Sequence, residues 1–360
     1  MTEGAQQERL EKMRRLLATQ DLEALFVTKP ENRRYLSGFT GSAGVLLITV
    51  GNAVLLTDGR YEAQARQEAL QWQVVIYKNS VFEVLPEICA EFRVHEIGFE
   101  QDHLTYQQFA KLQEHLPLIS LRPVTGFIEK LRVIKDATEI SLIQEAAVVT
   151  GAAFWYLLGV LNYGQSEQEI AGTMEFFMRR HGGGLPAFET IVAAGERGSF
   201  PHGVASQQQV RCGQMVVIDL GARYQGYAAD LTRTICLGRV DPRQREVYEV
   251  VREAQARALA HLRPGVQAGE VDAAARGFLA TLGYGEFFPH SLGHGVGLSV
   301  HEDPRLAPRQ ETVLEPGMVI TVEPGVYLPG WGGVRIEDTV LVTQNGCEIL
   351  TPVTKDLLVI

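Results

Sequence analysis

Three of the nine histidines fall within PHSLGHGVGLSVHE, residues 289–302, a stretch broken by Gly293, Gly295 and Gly297. His290 and His294 stand four residues apart, and His301 follows seven later. In a bent, glycine-rich backbone all three imidazoles can face one cavity, as metal ligands or as acid–base groups. Carboxylates of the right kind lie on either side. Asp219 follows the apolar run VVI and Glu323 follows VITV, where an unpaired charge is costly to bury. Asp230 and Glu337 come shortly after each.

The elements that must carry these acids read as two β-hairpins, residues 214–238 and 318–342. A turn between Tyr224 and Gln225 would set Asp219 opposite Asp230, and a turn at Gly330 would set Glu323 opposite Glu337, with Cβ atoms about 4.5–5.5 Å apart. Four such acids repel unless cations bridge them. Two ions about 3.5–4 Å apart can share the carboxylates and activate a water, and one imidazole completes the set. Mostly oxygen with a single nitrogen suits Mn²⁺, Co²⁺, Fe²⁺ or Zn²⁺. The hairpins belong to a longer repeat. Residues 163–182 align with residues 264–283 at an offset of 101, and Asp219 and Glu323 are 104 apart. Each copy is preceded by a helical run (140–161, 247–262), so two facing halves would bring both acid pairs to a pseudo-two-fold centre.

Upstream, the pattern alternates helix and strand: a helix with Leu10, Met13 and Leu17 on one face, a strand at 22–28, a loop at 32–44, strands at 45–50 and 53–57, a helix at 60–70, then strand 73–77, helix 81–91, strand 95–99 and helix 105–115. This predicts an α/β domain. Residues 121–136 hold Pro123, Gly126 and a basic cluster and mark a boundary, giving domains 1–128 and 129–360, with Asp136 or Thr138 capping the next helix.

The formal net charge of −10 argues against nucleic acid or an anionic membrane as partner. Cys89, Cys212, Cys236 and Cys347 form no CxxC pair and suggest neither a zinc ribbon nor a disulfide framework. The first twenty residues are charged and have no apolar leader core, and no run of 18 apolar residues occurs, so the expectation is a cytoplasmic protein.

FPHG (200–203), VIDLGARYQGYAADLTRT (217–234), HSLGHGVGLSVHE (290–302), TVEPGVY (321–327) and GGVRIEDT (332–339) together resemble the pita-bread metallopeptidases, which include aminopeptidase P, prolidase and methionine aminopeptidase, with creatinase as a metal-free relative. RYLSGFTGSAG and LTDGRYEAQA resemble the amino domain of the Xaa-Pro branch. The resemblance implies an α/β N-terminal domain controlling substrate length and dimer contacts, and an α+β pita-bread catalytic domain with an internal pseudo-two-fold repeat. It implies metal ligands at Asp219, Asp230, His294, Glu323 and Glu337, holding two divalent ions, Mn²⁺ or Co²⁺ ahead of Zn²⁺ or Fe²⁺. Glu323 would also take the proton of the attacking water. His202 would bind substrate and handle protons, and His301 would steady the oxyanion. His290 and Arg335 would line the proline pocket, Phe200 would touch substrate, and Tyr327 would either support the site or serve as core. Arg305 matches a prolidase arginine that holds the substrate's terminal carboxylate; its plainer reading is a solvated loop residue. The implied activity is hydrolysis of the Xaa-Pro bond of short peptides by a homodimer, with dipeptides favoured and aminopeptidase P the alternative. A non-catalytic binding module and a creatinase-like amidinohydrolase fit less well, because all five ligands are present.

Overall fold

The computed structural model describes residues 3–360. Contacts divide the chain into two units, the first running to Arg132 and the second starting at Val133, four residues beyond the expected boundary. In the first, α1 (Glu3–Thr19) buries Leu10, Met13 and Leu17, as their helical spacing predicts. The stretch expected as a loop at 32–44 opens instead with α2 (Pro30–Ser37). Pro30 stands in the first turn, where its missing N–H is not needed, and Gly38 ends the helix at φ +75°.

The six strands β1 (Ala24–Val27), β2 (Val45–Thr49), β3 (Ala53–Asp58), β4 (Gln73–Tyr77), β5 (Glu96–Glu100) and β6 (Ser120–Val124) form one mixed sheet in the order β4-β3-β2-β1-β5-β6. β1, β2 and β3 pair antiparallel and the remaining neighbours parallel. Phe26, Leu47, Val54 and Leu56 share one core with Phe82, Leu85 and Ile88 of α4 (Val81–Phe92) and Leu112 of α5 (Tyr106–His115), while α3 (Glu62–Glu68) links β3 to β4. The α/β expectation for this unit holds.

After the single turn α6 (Glu129–Arg132), the second unit begins with α7 (Ala137–Val160) and α8 (Glu167–Arg180). Asp136, not Thr138, caps α7, in a reciprocal box with Glu139. Among the described residues α7 is the one helix long and apolar enough to cross a membrane. Here Val149, Ala153, Phe154 and Leu157 are buried in the core that it shares with α8. β7 (Ile191–Ala194), β8 (Met215–Leu220) and β11 (Leu231–Cys236) form a three-stranded sheet against that pair, with β9 (Arg223–Tyr224) and β10 (Tyr227–Ala228) closing the hairpin tip.

The second half repeats the plan with α9 (Pro242–His261) and α10 (Ala268–Thr281). Its five-stranded sheet contains β12 (Gly293–Gly295), β13 (Glu302–Leu306), β14 (Val319–Val322), β17 (Asp338–Val342) and β18 (Cys347–Ile349), and β15 (Gly325–Leu328) pairs with β16 (Gly332–Arg335). The repeat is geometric as well as sequential. Both ends of α8 reappear in α10 shifted by 101 residues. Gly164 and Gly265 both stand at φ +84°, where a side chain would be strained, and so do Gly182 and Gly283 at +89° and +81°. The bridge Ser166–Gln209 has its counterpart in Gln267–Val313.

Register separates the two hairpins. In the second, Val322 faces Asp338 and Gly325 faces Arg335, so Glu323 and Glu337 fall opposite one another as expected. In the first, Asp219 pairs with Thr232, not with Asp230. The turn lies at Gln225-Gly226, at φ +43° and +87°, one residue later than expected, because Gly226 supplies the left-handed conformation that the tight turn needs. Asp230 then faces Gly221 diagonally from Asp219. Since 230 and 232 share a face with 219 and 221, the two acids still converge.

Candidate metal centre

The two hairpins and β12 surround a cavity of about 420 Å³. Asp219, Asp230, His290, His294, His301, Glu323, Arg335 and Glu337 line it, joined at its rim by His202 and Arg305. Tyr327 lies behind the wall, buried, and Phe200 is 56% exposed and outside the lining. The FPHG segment contributes Pro201 and His202 instead. Phe188, Glu189, Ile191, Val204, Ser291 and Val300 complete the wall. No motif announces these, since wall positions are set by the meeting of distant segments.

Three of the four acids have one oxygen fixed by a hydrogen bond from the protein. Arg335 donates to Asp219 Oδ2 at 2.6 Å, Thr232 to Glu337 Oε2 at 2.7 Å and Thr321 to Glu323 Oε1 at 3.3 Å. Asp219 Oδ1 and Glu337 Oε1 are buried with no hydrogen-bond partner. A buried, unpaired carboxylate oxygen is costly, and a cation satisfies it. Asp230, His294 and Glu337 can offer ligand atoms within 4.8 Å of one another. His294 Nδ1 donates to Gly295 O at 3.1 Å, which turns Nε2 toward Glu323 Oε1 (3.3 Å) and Asp230 Oδ2 (3.6 Å). The donor set fits a pair of divalent cations. Thr232 and Thr321 were not foreseen from sequence, although each lies on the same strand face as an acid.

The electrostatics agree. Burial, then the charges of Glu337, Asp219 and Glu323, push Asp230 well above the ordinary carboxylate range. Burial and the charges of Glu323 and Asp219 raise Glu337, and burial raises Asp219 against the pull of Arg335. Burial would raise Glu323 too, yet the hydrogen bond and charge of His294 pull it down to about 2. Burial would lower His294, but Glu323 outweighs it and raises the imidazole. A proton on His294 thus does part of the work of a cation in the metal-free site.

Behind the acids, Arg335 donates to Tyr327 Oη at 2.9 Å and to Pro201 O at 3.0 Å. His290 Nδ1 donates to Ser291 O, so its Nε2 accepts from Tyr327 Oη at 2.8 Å. Burial depresses the His290 pKa, which keeps that ring neutral. Tyr327 is therefore a connector between Arg335 and His290. The approach of β12 to β14 is equally constrained: a Cβ on Gly293 would stand 1.9 Å from Thr321 O. Gly293→Ala should displace His294 and cost about 1–3 kcal/mol or more, read as a lowered melting temperature with weakened metal binding. An unchanged melting curve would contradict that close approach.

Two matched halves thus surround a buried acid cluster, and of the histidines that line the cavity His294 is the one set against the carboxylates. The chain belongs to metallopeptidase family M24, a dinuclear metal-dependent family whose model matches residues 141–344; residues 9–134 match the Creatinase/Prolidase N-terminal domain. It is 40% identical to an Xaa-Pro dipeptidase of Pyrococcus furiosus over 98% of this chain and 99% of that one. An Xaa-Pro dipeptidase structure from Bacillus anthracis superposes with a TM-score of 0.96 at 41% identity, covering 99% of this chain and 100% of the other. An X-Pro aminopeptidase from Thermotoga maritima gives 0.89 at 37%, covering 96% and 100%. The pita-bread reading of the second unit and the peptidase reading of the site both hold.

Proposed function

We infer that the protein is an Xaa-Pro dipeptidase with Asp219, Asp230, His294, Glu323 and Glu337 as its metal ligands, in the company of relatives named for that activity. When bound, two divalent cations, Mn²⁺ or Co²⁺ by the oxygen-rich donor set, supply Lewis acidity and a water acidic enough to attack at neutral pH. Glu323 accepts the proton of that water and delivers it to the leaving proline nitrogen. His301, at the cavity wall, donates to the oxyanion, and its pKa is lowered, first by desolvation and then by His294 in the metal-free site. His202 binds substrate from the opposite loop, and the apolar wall with His290 takes the proline ring. An Xaa-Pro amide has no N–H, so a pocket shaped to the ring selects it where general peptidases fail.

The observation that carries the dipeptidase reading is Arg305. Its side chain lines the cavity, is exposed, and has no hydrogen-bond or ion-pair partner among the described residues, as suits a cation awaiting a terminal carboxylate. Likeness to the Thermotoga aminopeptidase favours a second reading, cleavage of longer Xaa-Pro-Yaa peptides. Ala-Pro and its C-terminal amide distinguish them. A charged hydrogen bond worth about 1.5–3 kcal/mol predicts that amidation, or Arg305→Ala, lowers kcat/KM about ten- to hundredfold, mainly through KM. Equal cleavage of both substrates by parent and variant would give the aminopeptidase reading.

A homodimer in a reducing compartment fits two further features. None of the four cysteines is paired in a disulfide. The outer face of α7 exposes Val148, Trp155, Tyr156 and Val160, where the matching face of α9 carries the ion pairs Arg252–Glu249 and Arg257–Glu253. Sedimentation as a monomer at micromolar concentration would exclude the dimer.

A further inference from the structure

His301 poses a problem of placement. Its ring makes no hydrogen bond among the described residues and touches His294 edge to face at 4.3 Å between centroids. An oxyanion donor works only when aimed to within a fraction of an ångström, so the backbone of residues 297–301 must do the aiming. That backbone is tied at several points. Ala228 N donates to Gly297 O at 2.8 Å, Arg223 Nη1 to Leu298 O at 2.7 Å, and Gly297 N to Ser299 O at 3.0 Å. The last tie comes from the residue after His301. Glu302 folds back so that Oε1 accepts from Ser299 N at 2.9 Å, and its carboxylate lies against Gly297, where a Cβ would stand 2.7–2.9 Å away.

Lys135 is one of the groups that hold Glu302 in that posture. Its Nζ lies 3.4 Å from Glu302 Oε2, and the two side chains are 1% and 7% exposed. Lys135 is itself anchored, its N–H donating to Gly317 O at 2.9 Å beside the Ile134–Met318 bridge. Neither residue lines the cavity.

We propose that the buried Lys135–Glu302 pair is a positioning device for His301, clamping the 297–301 turn so that the imidazole faces the scissile carbonyl. The proposal rests on the oxyanion role given to His301 above. A buried ion pair is a poor source of net stability, because desolvation offsets its attraction, but losing one partner strands the other. Lys135→Met therefore frees the Glu302 carboxylate to turn toward water and releases Ser299 N.

The test is a double-mutant cycle on Ala-Pro hydrolysis by the metal-loaded full chain. Lys135→Met should lower kcat about ten- to hundredfold, part of the ~10²–10³ that one oxyanion donor contributes, with KM within about twofold. In a His301→Ala background the same substitution should change kcat by less than about twofold, because nothing remains to be aimed. Lys135→Arg should recover most of the rate, and metal content should stay at the parent value in all variants. An equal loss in both backgrounds, an unchanged kcat in Lys135→Met, or a loss of metal would overturn the proposal. Gly297→Ala pushes the Glu302 carboxylate while leaving both charges in place, and should give the same His301-dependent loss should Lys135→Met fail to fold. Parent activity on the dipeptide tests the peptidase reading separately, since the cycle uses only ratios to that rate.

Discussion

In Asp230→Asn, Xaa-Pro cleavage falls by at least about a thousandfold, about 4 kcal/mol of transition-state stabilisation, while the metal-free protein melts higher than the parent. The two effects share one cause. Asp230 is buried beside Glu337, Asp219 and Glu323, and its ionised form is disfavoured by burial and then by those three charges. The amide is isosteric and neutral, so the metal-free fold is relieved of a repulsion. It also offers a weaker ligand to cations that need anionic oxygen. Progress curves with saturating Mn²⁺ and melting curves in chelator measure both sides. Undiminished turnover would remove Asp230 from the ligand set, and a lower melting point in chelator would deny the crowding of charge.

Chelation should reveal the same crowding through pH. The folded-state pKa values of Asp230, Glu337 and Asp219 are raised, all with burial first among the causes, and that of His294 is raised by Glu323 against burial. A group whose folded value is raised contributes stability that is complete below its unfolded pKa and lost as pH climbs through the folded value. His290 and His301 are depressed and act in the opposite sense, but their contribution is complete above the unfolded imidazole value of about 6.5. Glu323, held at about 2, acts only in acid. From pH 7 to 9, then, only the raised groups remain to act, and the chelated protein should melt at progressively lower temperature. Adding metal should reverse the trend, because ligands must shed protons to bind. A cation at a hundred times its Kd adds about 2.7 kcal/mol, roughly 5–10 °C for a unit of this size. A metal-free melting temperature that rises from pH 7 to 9 would contradict this account.

Much of this site was legible in the sequence because hairpin arithmetic is rigid. Glu323 and Glu337 were placed opposite one another by the turn at Gly330 alone, and the structure keeps that register on both sides of them. The expected pairing of Asp219 with Asp230 is one residue out, since two tyrosines flank Gln225-Gly226 and only the left-handed preference of Gly226 decides where the chain turns. The error was tolerable because residues two apart share a strand face. What sequence could not supply was contact between distant segments. Thr232 orienting Glu337, Lys135 reaching Glu302, and Phe200 lying exposed outside a cavity that His202, two residues on, lines all depend on packing, not on local pattern. α2 looks like loop in the sequence because its polar run PENRRYLS lacks an apolar period, although its proline and following glycine mark both ends.

The stretch around His294 now has unequal parts: one histidine facing the acids, one tied to Tyr327, and one aimed by its neighbours. The most direct test of the central claim is hydrolysis of Ala-Pro by chelated protein titrated with Mn²⁺ or Co²⁺. Activity should be absent without metal and reach its plateau at two equivalents per chain. Cleavage that persists in chelator, or none at any metal ratio, would contradict the assignment of these five residues as a dinuclear Xaa-Pro peptidase centre.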